Sequence, residues 1–310
     1  MRAVRNTDSG ISVTETEEPE TAGVRLTVAS AGVCGTDVGF AAGGVQGYTY
    51  GHEFAGTTAD GECYAVEPTV YCGQCDQCRA GHVQRCGAPE HGTLGIFRDG
   101  GMCDAVTVAE TMLVPLPSGL DVRDACLVEP ASVAWHGVRR AALEPGERVA
   151  VVGGGSIGLL AAASARHRGF DVDVVVRHEH QRIAAERLGA GAAEGGYDVV
   201  IDAAGSEEGL ARCAELARVG GRVVLLGLYQ QAVPIPGITS LVKELTYLNS
   251  IAYSRHDGSR DFEQAAAMLA GNPEIARTVI THRFPLDDAA EAFRVAGDRA
   301  SGAIKVVLHP

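Results

Sequence analysis

The sequence has no apolar run of the roughly 18 residues needed to cross a bilayer. Its N-terminus, MRAVRNTDSG, has no apolar core of the kind a secretory leader carries. It also has no basic run. The 26 Lys and Arg face 39 Asp and Glu, a formal net charge of −13. A nucleic-acid binder presents a basic face, so nucleic acid and membrane are both set aside as partners, and the acidic surplus favours solubility. No internal repeat and no low-complexity linker is present. These absences predict a cytoplasmic protein in a compartment that keeps thiols reduced. Nine cysteines, an odd number, then point to metal rather than to disulfides.

What is present is enough chain, 310 residues, for two ordinary domains. The first part reads as β-rich: GVRLTVASAGVCGTD, CYAVEPTVYCG and DAVTVAETMLVPLP carry short runs broken by Gly, Pro and Asp. Asp60-Gly61 predicts a hairpin turn. From Asp121 the pattern becomes helical, with Pro130 expected to bend or interrupt DVRDACLVEPASVAWHGVRRAAL. ERVAVVGGGSIGLLAAASARHRG follows as strand, glycine turn and helix. DVDVVV, YDVVIDAAG and GRVVLLGLY are further strands, separated by the helical QRIAAERLGA and EEGLARCAELARV. This alternation predicts right-handed βαβ units and a parallel sheet. FEQAAAMLAG and DDAAEAFRVAG read as helices, and AIKVVL as a closing strand.

In VAVVGGGSIG, Gly153, Gly155 and Gly158 form G-x-G-x-x-G with a strand before and a helix after, the context in which this pattern binds a dinucleotide. The glycines let the backbone approach a pyrophosphate at the helix N-terminus. Ser156 and Ile157 of the turn, with Ala204 and Gly227 after later strands, complete the expected cofactor contacts. GGSIG also fits G-x-S-x-G, which would make Ser156 a hydrolase nucleophile with His282 and Asp202 as partners. A nucleophile elbow follows several strands, however. This turn follows the first strand of the parallel region, and no HGGG-type loop lies upstream. The second strand ends VVVRHEHQR. Arg177 stands where an acid would bind the NAD ribose, with His178 and Arg182 close by. This favours NADP over NAD, and Glu179 acting as the acid would restore NAD.

YCGQCDQCRAGHVQRC places Cys72, Cys75, Cys78 and Cys86 within sixteen residues. Four thiolates close a tetrahedral zinc shell and leave no position for substrate. The predicted role is structural, ordering a lobe with few apolar residues. Chemistry must then lie elsewhere. Cys34, Thr36 and Asp37 in AGVCGTD, His52 and Glu53 in YGHEFAG, and Glu129 in ACLVEPASVAWHG are each unremarkable alone. Their order is what carries weight.

With VCGTD, GHEFAG, the four-cysteine loop, VEPASVAWHG, VVGGGSIGLL and IKVVL in that order, the chain resembles the zinc-containing medium-chain dehydrogenase/reductase family, the alcohol, sorbitol and threonine dehydrogenases. The resemblance runs from near residue 30 to the end. It implies an α/β protein with a GroES-like β-rich catalytic domain (1–123 with 258–310) and a Rossmann doubly wound parallel sheet (124–257). It implies two zinc ions per chain, one of them catalytic on Cys34 and His52, with Glu53 or Glu129 as the third ligand. It implies hydride transfer between a secondary alcohol or polyol, or its ketone, and NADP or NAD, in a homodimer or homotetramer. Thr36 would take the alcohol proton, and Asp37 would fix the His52 tautomer. The chain departs from the family at Val38, Gly39 and Phe40, where relatives carry a relay histidine, in the short stretch between GHEFAG and CYAVEP, and at Arg177. Tyr48, Tyr50, Phe97 and Trp135 are the candidate pocket aromatics. Cys63, Cys103, Cys126 and Cys213 read as small buried residues, and His136 as structural. Lys305 reads either as a cofactor contact or as a solvated strand lysine. A serine hydrolase and a non-catalytic zinc- and cofactor-binding relative are the other classes.

Overall fold

The computed structural model describes residues 1–18 and 22–310. They form two compact units, Met1–Glu129 with Ser254–Pro310, and Pro130–Tyr253. The first unit opens with β1 (Arg2–Thr7), β2 (Gly10–Glu15), β3 (Val24–Val33), α1 (Gly35–Ala42), β4 (Glu53–Thr57) and β5 (Cys63–Val66). It continues through β6 (Thr69–Val70), α2 (Asp76–Arg79), β7 (Gly92–Thr93), β8 (Ala105–Val108) and β9 (Leu113–Pro115). Helix α3 (Val128–Arg140) begins in this unit and runs into the second. The first division therefore falls inside a helix, where no turn marks it.

The second unit comprises β10 (Val149–Val152), α4 (Ser156–His167), β11 (Val172–Val175), α5 (Glu179–Arg187) and β12 (Gly191–Ala192). It ends with β13 (Tyr197–Asp202), α6 (Glu207–Leu216), β14 (Ala217–Leu225), α7 (Gly237–Val242) and β15 (Thr246–Asn249). The chain then returns to the first unit with β16 (Arg255–His256), β17 (Ser259–Arg260), α8 (Asp261–Gly271), α9 (Glu274–Val279), β18 (Ile280–Pro285), α10 (Ala289–Gly297) and β19 (Lys305–His309).

In the first unit a seven-stranded sheet runs β18-β19-β3-β4-β5-β9, with β8 also on β3. The closing strand is therefore internal. β19 pairs parallel with β18 and antiparallel with β3, setting Val306 opposite Val33. Leu26, Tyr50, Phe54, Met102 and Leu308 form much of the core beneath it. β4 and β5 make the expected hairpin, and Gly61 of its turn has φ +90°.

In the second unit six parallel strands run β12-β11-β10-β13-β14-β15. The order reverses beside β10, the switch point at which doubly wound sheets bind ligands beyond the strand carboxyl ends. Helix α4 is buried from Gly158 to Ala165, so its small residues let it lie close on the sheet. Pro130 does not bend α3. It lies in the helix's first turn, where a missing N–H breaks no intrahelical bond. Among the described residues, no helix is long and apolar enough to cross a membrane.

Candidate active site

The chemistry-bearing residues of the first unit converge where β3 ends and β4 begins. Cys34 follows β3 directly and caps α1, with its side chain accepting from the Asp37 N–H while the Asp37 carboxylate accepts from the Cys34 N–H at 2.9 Å. This reciprocal box fixes both side chains at the helix start. The other Asp37 oxygen lies 3.4 Å from Nδ1 of buried His52. Burial lowers the His52 imidazole, but Asp37 and then Cys34 outweigh it and hold it well above its ordinary range. A cation is thus favoured at this spot even without a metal.

Glu53 begins β4 opposite Gly32 of β3. A Cβ on Gly32 would stand 2.1 Å from Glu53 Oε2, so glycine is what leaves room for the carboxylate. Both Glu53 oxygens accept from Lys305 Nζ at 2.7 Å, and Lys305 also donates to the Val33 carbonyl at 3.3 Å. Lys305, one of two lysines in the chain, is 3% exposed, so it is not a solvated strand residue. Burial disfavours its ammonium, but Glu53 reverses the balance and the pKa rises. This pair links residues 252 apart in sequence, and no local pattern announces it.

Ligand atoms of Cys34, His52 and Glu53 all lie within 4.8 Å of one another. A thiolate, an imidazole and a carboxylate make a three-ligand set with a position left for substrate. The donors therefore fit a zinc ion, and the Asp37 carboxylate 3.4 Å from His52 Nδ1 stands where it can steady the ring. Glu129 is outside this mutually close group. It is buried in the first turn of α3 and pushed up to about 7 by that burial, against the lowering effect of His52. Thr36 lies half-buried in the first turn of α1.

The four cysteines of the α2 lobe form the second cluster. Sγ of Cys72, Cys75, Cys78 and Cys86 are mutually within 4.8 Å, with Cys72 and Cys86 3.6 Å apart. The backbone N–H of Cys78 and the neighbouring thiol lower Cys75 to about 6, while burial raises Cys78 to about 12. Four thiols this close fit a closed zinc shell.

In the second unit, Gly153 has φ +117° at the end of β10. A Cβ on Gly158 would stand 1.8 Å from the Gly153 carbonyl, so these two positions pack this closely only as glycines. Gly155 caps α4, and Ser156 and Ile157 open it. Arg177 is exposed, with Glu208 3.9 Å away, and His178 and His180 stack at 5.4 Å. Arg182 is instead engaged by Glu179 and Glu186 along α5, which removes it from the set of free cations expected there. Ala204 and Gly227 lie just beyond β13 and β14.

Several expectations are corrected. His282 bonds Thr281 Oγ1 at 3.0 Å in the first unit, and Asp202 is taken up by Ala204 N–H and Tyr229 OH, so Ser156 has no assembled triad. Tyr50 is fully buried and donates to the Val45 carbonyl at 2.8 Å, making it core rather than pocket lining. Tyr48 stacks on Tyr50 and is also buried, while Phe97 is exposed against Phe40. Trp135 packs on His167 in the second unit. Cys103, Cys126 and Cys213 are buried, but Cys63 is half-exposed at the start of β5.

Residues 20–118 match the family model described as the alcohol dehydrogenase GroES-like domain, and residues 122–309 match that described as the glucose dehydrogenase C-terminus. The chain is 32% identical to an L-galactonate-5-dehydrogenase of Escherichia coli K12 over 86% of each chain. It is 31% identical to a 2-dehydro-3-deoxy-L-galactonate 5-dehydrogenase of Pseudoalteromonas atlantica, over 89% of this chain and 88% of the relative. A Sinorhizobium meliloti 1021 structure described as a zinc-binding dehydrogenase bound to NADP is similar at a TM-score of 0.87 and 31% identity, over 100% of this chain and 99% of that one.

The position of Glu129 makes a pH prediction. Its folded value near 7 lies above its ordinary 4.5, so its contribution to stability is complete below about pH 4.5 and is lost as pH rises through about 7. Melting of the chelator-treated protein from pH 4.5 to 8 should show wild type losing stability relative to Glu129→Gln. A difference between the two that stays constant with pH would contradict this placement.

Proposed function

This chain belongs to the zinc-dependent medium-chain alcohol and polyol dehydrogenase family, and on that premise we propose that it oxidises a secondary hydroxyl of a polyol or sugar acid with NADP as the preferred acceptor. The chain is an oxidoreductase that moves hydride between a hydroxyl-bearing substrate and a nicotinamide cofactor. The observation that supports the chemistry best is the Cys34, His52 and Glu53 group, in a chain whose other unit has the strand order of a dinucleotide-binding sheet.

In this reading Cys34, His52 and Glu53 would hold the catalytic zinc, and Cys72, Cys75, Cys78 and Cys86 a second, structural one. When bound, zinc supplies Lewis acidity to the substrate oxygen and the nicotinamide supplies the hydride acceptor. The remaining roles belong to side chains. Asp37 orients the His52 ring. Lys305 holds Glu53 in place through two hydrogen bonds. Thr36, two residues past Cys34, accepts the alcohol proton at its hydroxyl oxygen while passing its own hydroxyl proton onward, so that it acts as a relay and ends neutral. Val38, Gly39 and Phe40 offer no histidine for the outward path.

Two observations support the substrate and cofactor choices. The relatives named above act on L-galactonate and on a 2-dehydro-3-deoxy-L-galactonate, which favours sugar acids among hydroxyl-rich substrates. Arg177, exposed at the turn after β11, suits a 2′-phosphate, and the similar Sinorhizobium structure holds NADP. We further propose a homodimer. Helix α7 buries none of its residues and exposes Ile238, Leu241 and Val242 at 73, 74 and 69%, beside the edge strand β15. An apolar stripe and an open edge are covered in a stable protein, and a second copy covers both by twofold pairing.

Three measurements test this reading. Thr36→Ala should lower turnover with sugar acids by on the order of 10²-fold while bound zinc stays constant, and unchanged turnover would remove the relay. Arg177→Asp should raise the KM for NADP and lower that for NAD, and an unaltered ratio would refute the cofactor choice. Light scattering of the intact protein should give twice the chain mass of 32.2 kDa, falling to one chain in Leu241→Glu. A monomeric wild type would refute the dimer.

A further inference from the structure

Two loops leave the carboxyl end of the parallel sheet beside the glycine turn: residues 203–205 after β13 and residues 226–229 after β14. One side chain ties them together. Asp202, the last residue of β13, is fully buried. Its Oδ1 accepts from the Ala204 N–H at 3.0 Å, and its Oδ2 accepts from the Tyr229 hydroxyl at 2.5 Å. Its backbone carbonyl accepts from the N–H groups of both Leu226 and Gly227 at 2.9 Å. Both carboxylate oxygens are thus occupied by the loops, and the group has no free face for a ligand of its own.

The two loops also touch through bare backbone. A Cβ on Gly227 would stand 2.3 Å from the Gly205 nitrogen, and one on Gly205 would stand 2.8 Å from the Leu228 carbonyl. Contact this close holds only while something sets the separation of the loops. Burial raises the Asp202 carboxyl while the Tyr229 bond lowers it, so the carboxylate depends on that hydroxyl for compensation. The Tyr229 ring packs on the core of the unit with Leu225 and Val233. Removing the hydroxyl alone would therefore leave the ring in place.

We propose that Asp202 and Tyr229 are a positioning pair for the nicotinamide cofactor, clamping the 226–229 loop to the 203–205 turn so that the backbone at Ala204 and Gly227 is presented to it at a fixed separation. Neither residue touches the cofactor. The pair acts through the two loops, at the sheet edge where doubly wound folds take dinucleotides. The inference rests on the nicotinamide reading above.

The test is binding of NADPH and NADH to the zinc-loaded, full-length protein, followed by cofactor fluorescence, in wild type, Tyr229→Phe and Tyr247→Phe. Tyr247 supplies the control. Its hydroxyl bonds Ser240 at 2.6 Å in the same unit and is not the one that bonds Asp202. Tyr229→Phe should raise the cofactor Kd by roughly tenfold and leave the KM for the alcohol unchanged at saturating cofactor. Its melting temperature should move no more than that of Tyr247→Phe, whose Kd should match wild type. An unchanged Kd in Tyr229→Phe, or an equal rise in both variants, would overturn the clamp. A wild type that binds neither nucleotide would overturn the cofactor reading itself, and the clamp with it.

Discussion

The ion pair between Glu53 and Lys305 is the constraint around which the first unit is organised. Both side chains are almost wholly buried, at 1% and 3% exposure, and neither could be left there without the other. Breaking a buried pair by removing one partner costs about 3–5 kcal/mol, because the remaining charge is stranded. The pair also stands among Cys34, Asp37, His52 and Glu129, so acidic groups outnumber cations around it. Glu129 is raised first by its own burial, whereas the raised pKa of His52 is a sign of that excess. A divalent cation bound by Cys34, His52 and Glu53 would relieve it, displacing protons as it binds.

That pair explains the discontinuous first unit. Lys305 belongs to the closing strand β19, which returns after the whole second unit to pair with β3. Glu53 belongs to β4 on the other side of β3. Between them Gly32 supplies the missing side chain through which the two charged groups meet. Three strands distant in sequence thus contribute a gap, an acid and a base to one spot. The capping of α1 by Cys34 and Asp37 adds the thiol and the histidine's partner beside it.

What could be read in the sequence was local. The strand and helix alternation, the glycine turn and the four-cysteine loop each depend on spacing within about thirty residues, and the structure places them accordingly. Cys34 and His52 are legible through their order along the chain and the family resemblance. The choice between Glu53 and Glu129 is not, since it depends on which carboxylate the fold brings near them. Lys305 was beyond reach for the same reason, its partner lying 252 residues away. Arg182 is different: Glu179 and Glu186 stand three and four positions away on one helix, a pairing that helical spacing foretells. Pro130 reads as a breaker from the sequence because its place in the first turn of α3 depends on where the helix starts.

In this reading Cys34, His52 and Glu53 form a metal centre separate from the four-thiolate lobe. Zinc-edge X-ray absorption of the protein purified without chelator distinguishes the two. Two zinc ions per chain are expected. Sulfur should supply all of the shell at one ion and a single ligand at the other, an average of about two to three sulfurs per zinc. The shell should become all-sulfur in Cys34→Ser. An all-sulfur shell in the wild type would mean that only Cys72, Cys75, Cys78 and Cys86 hold metal, and it would contradict the account.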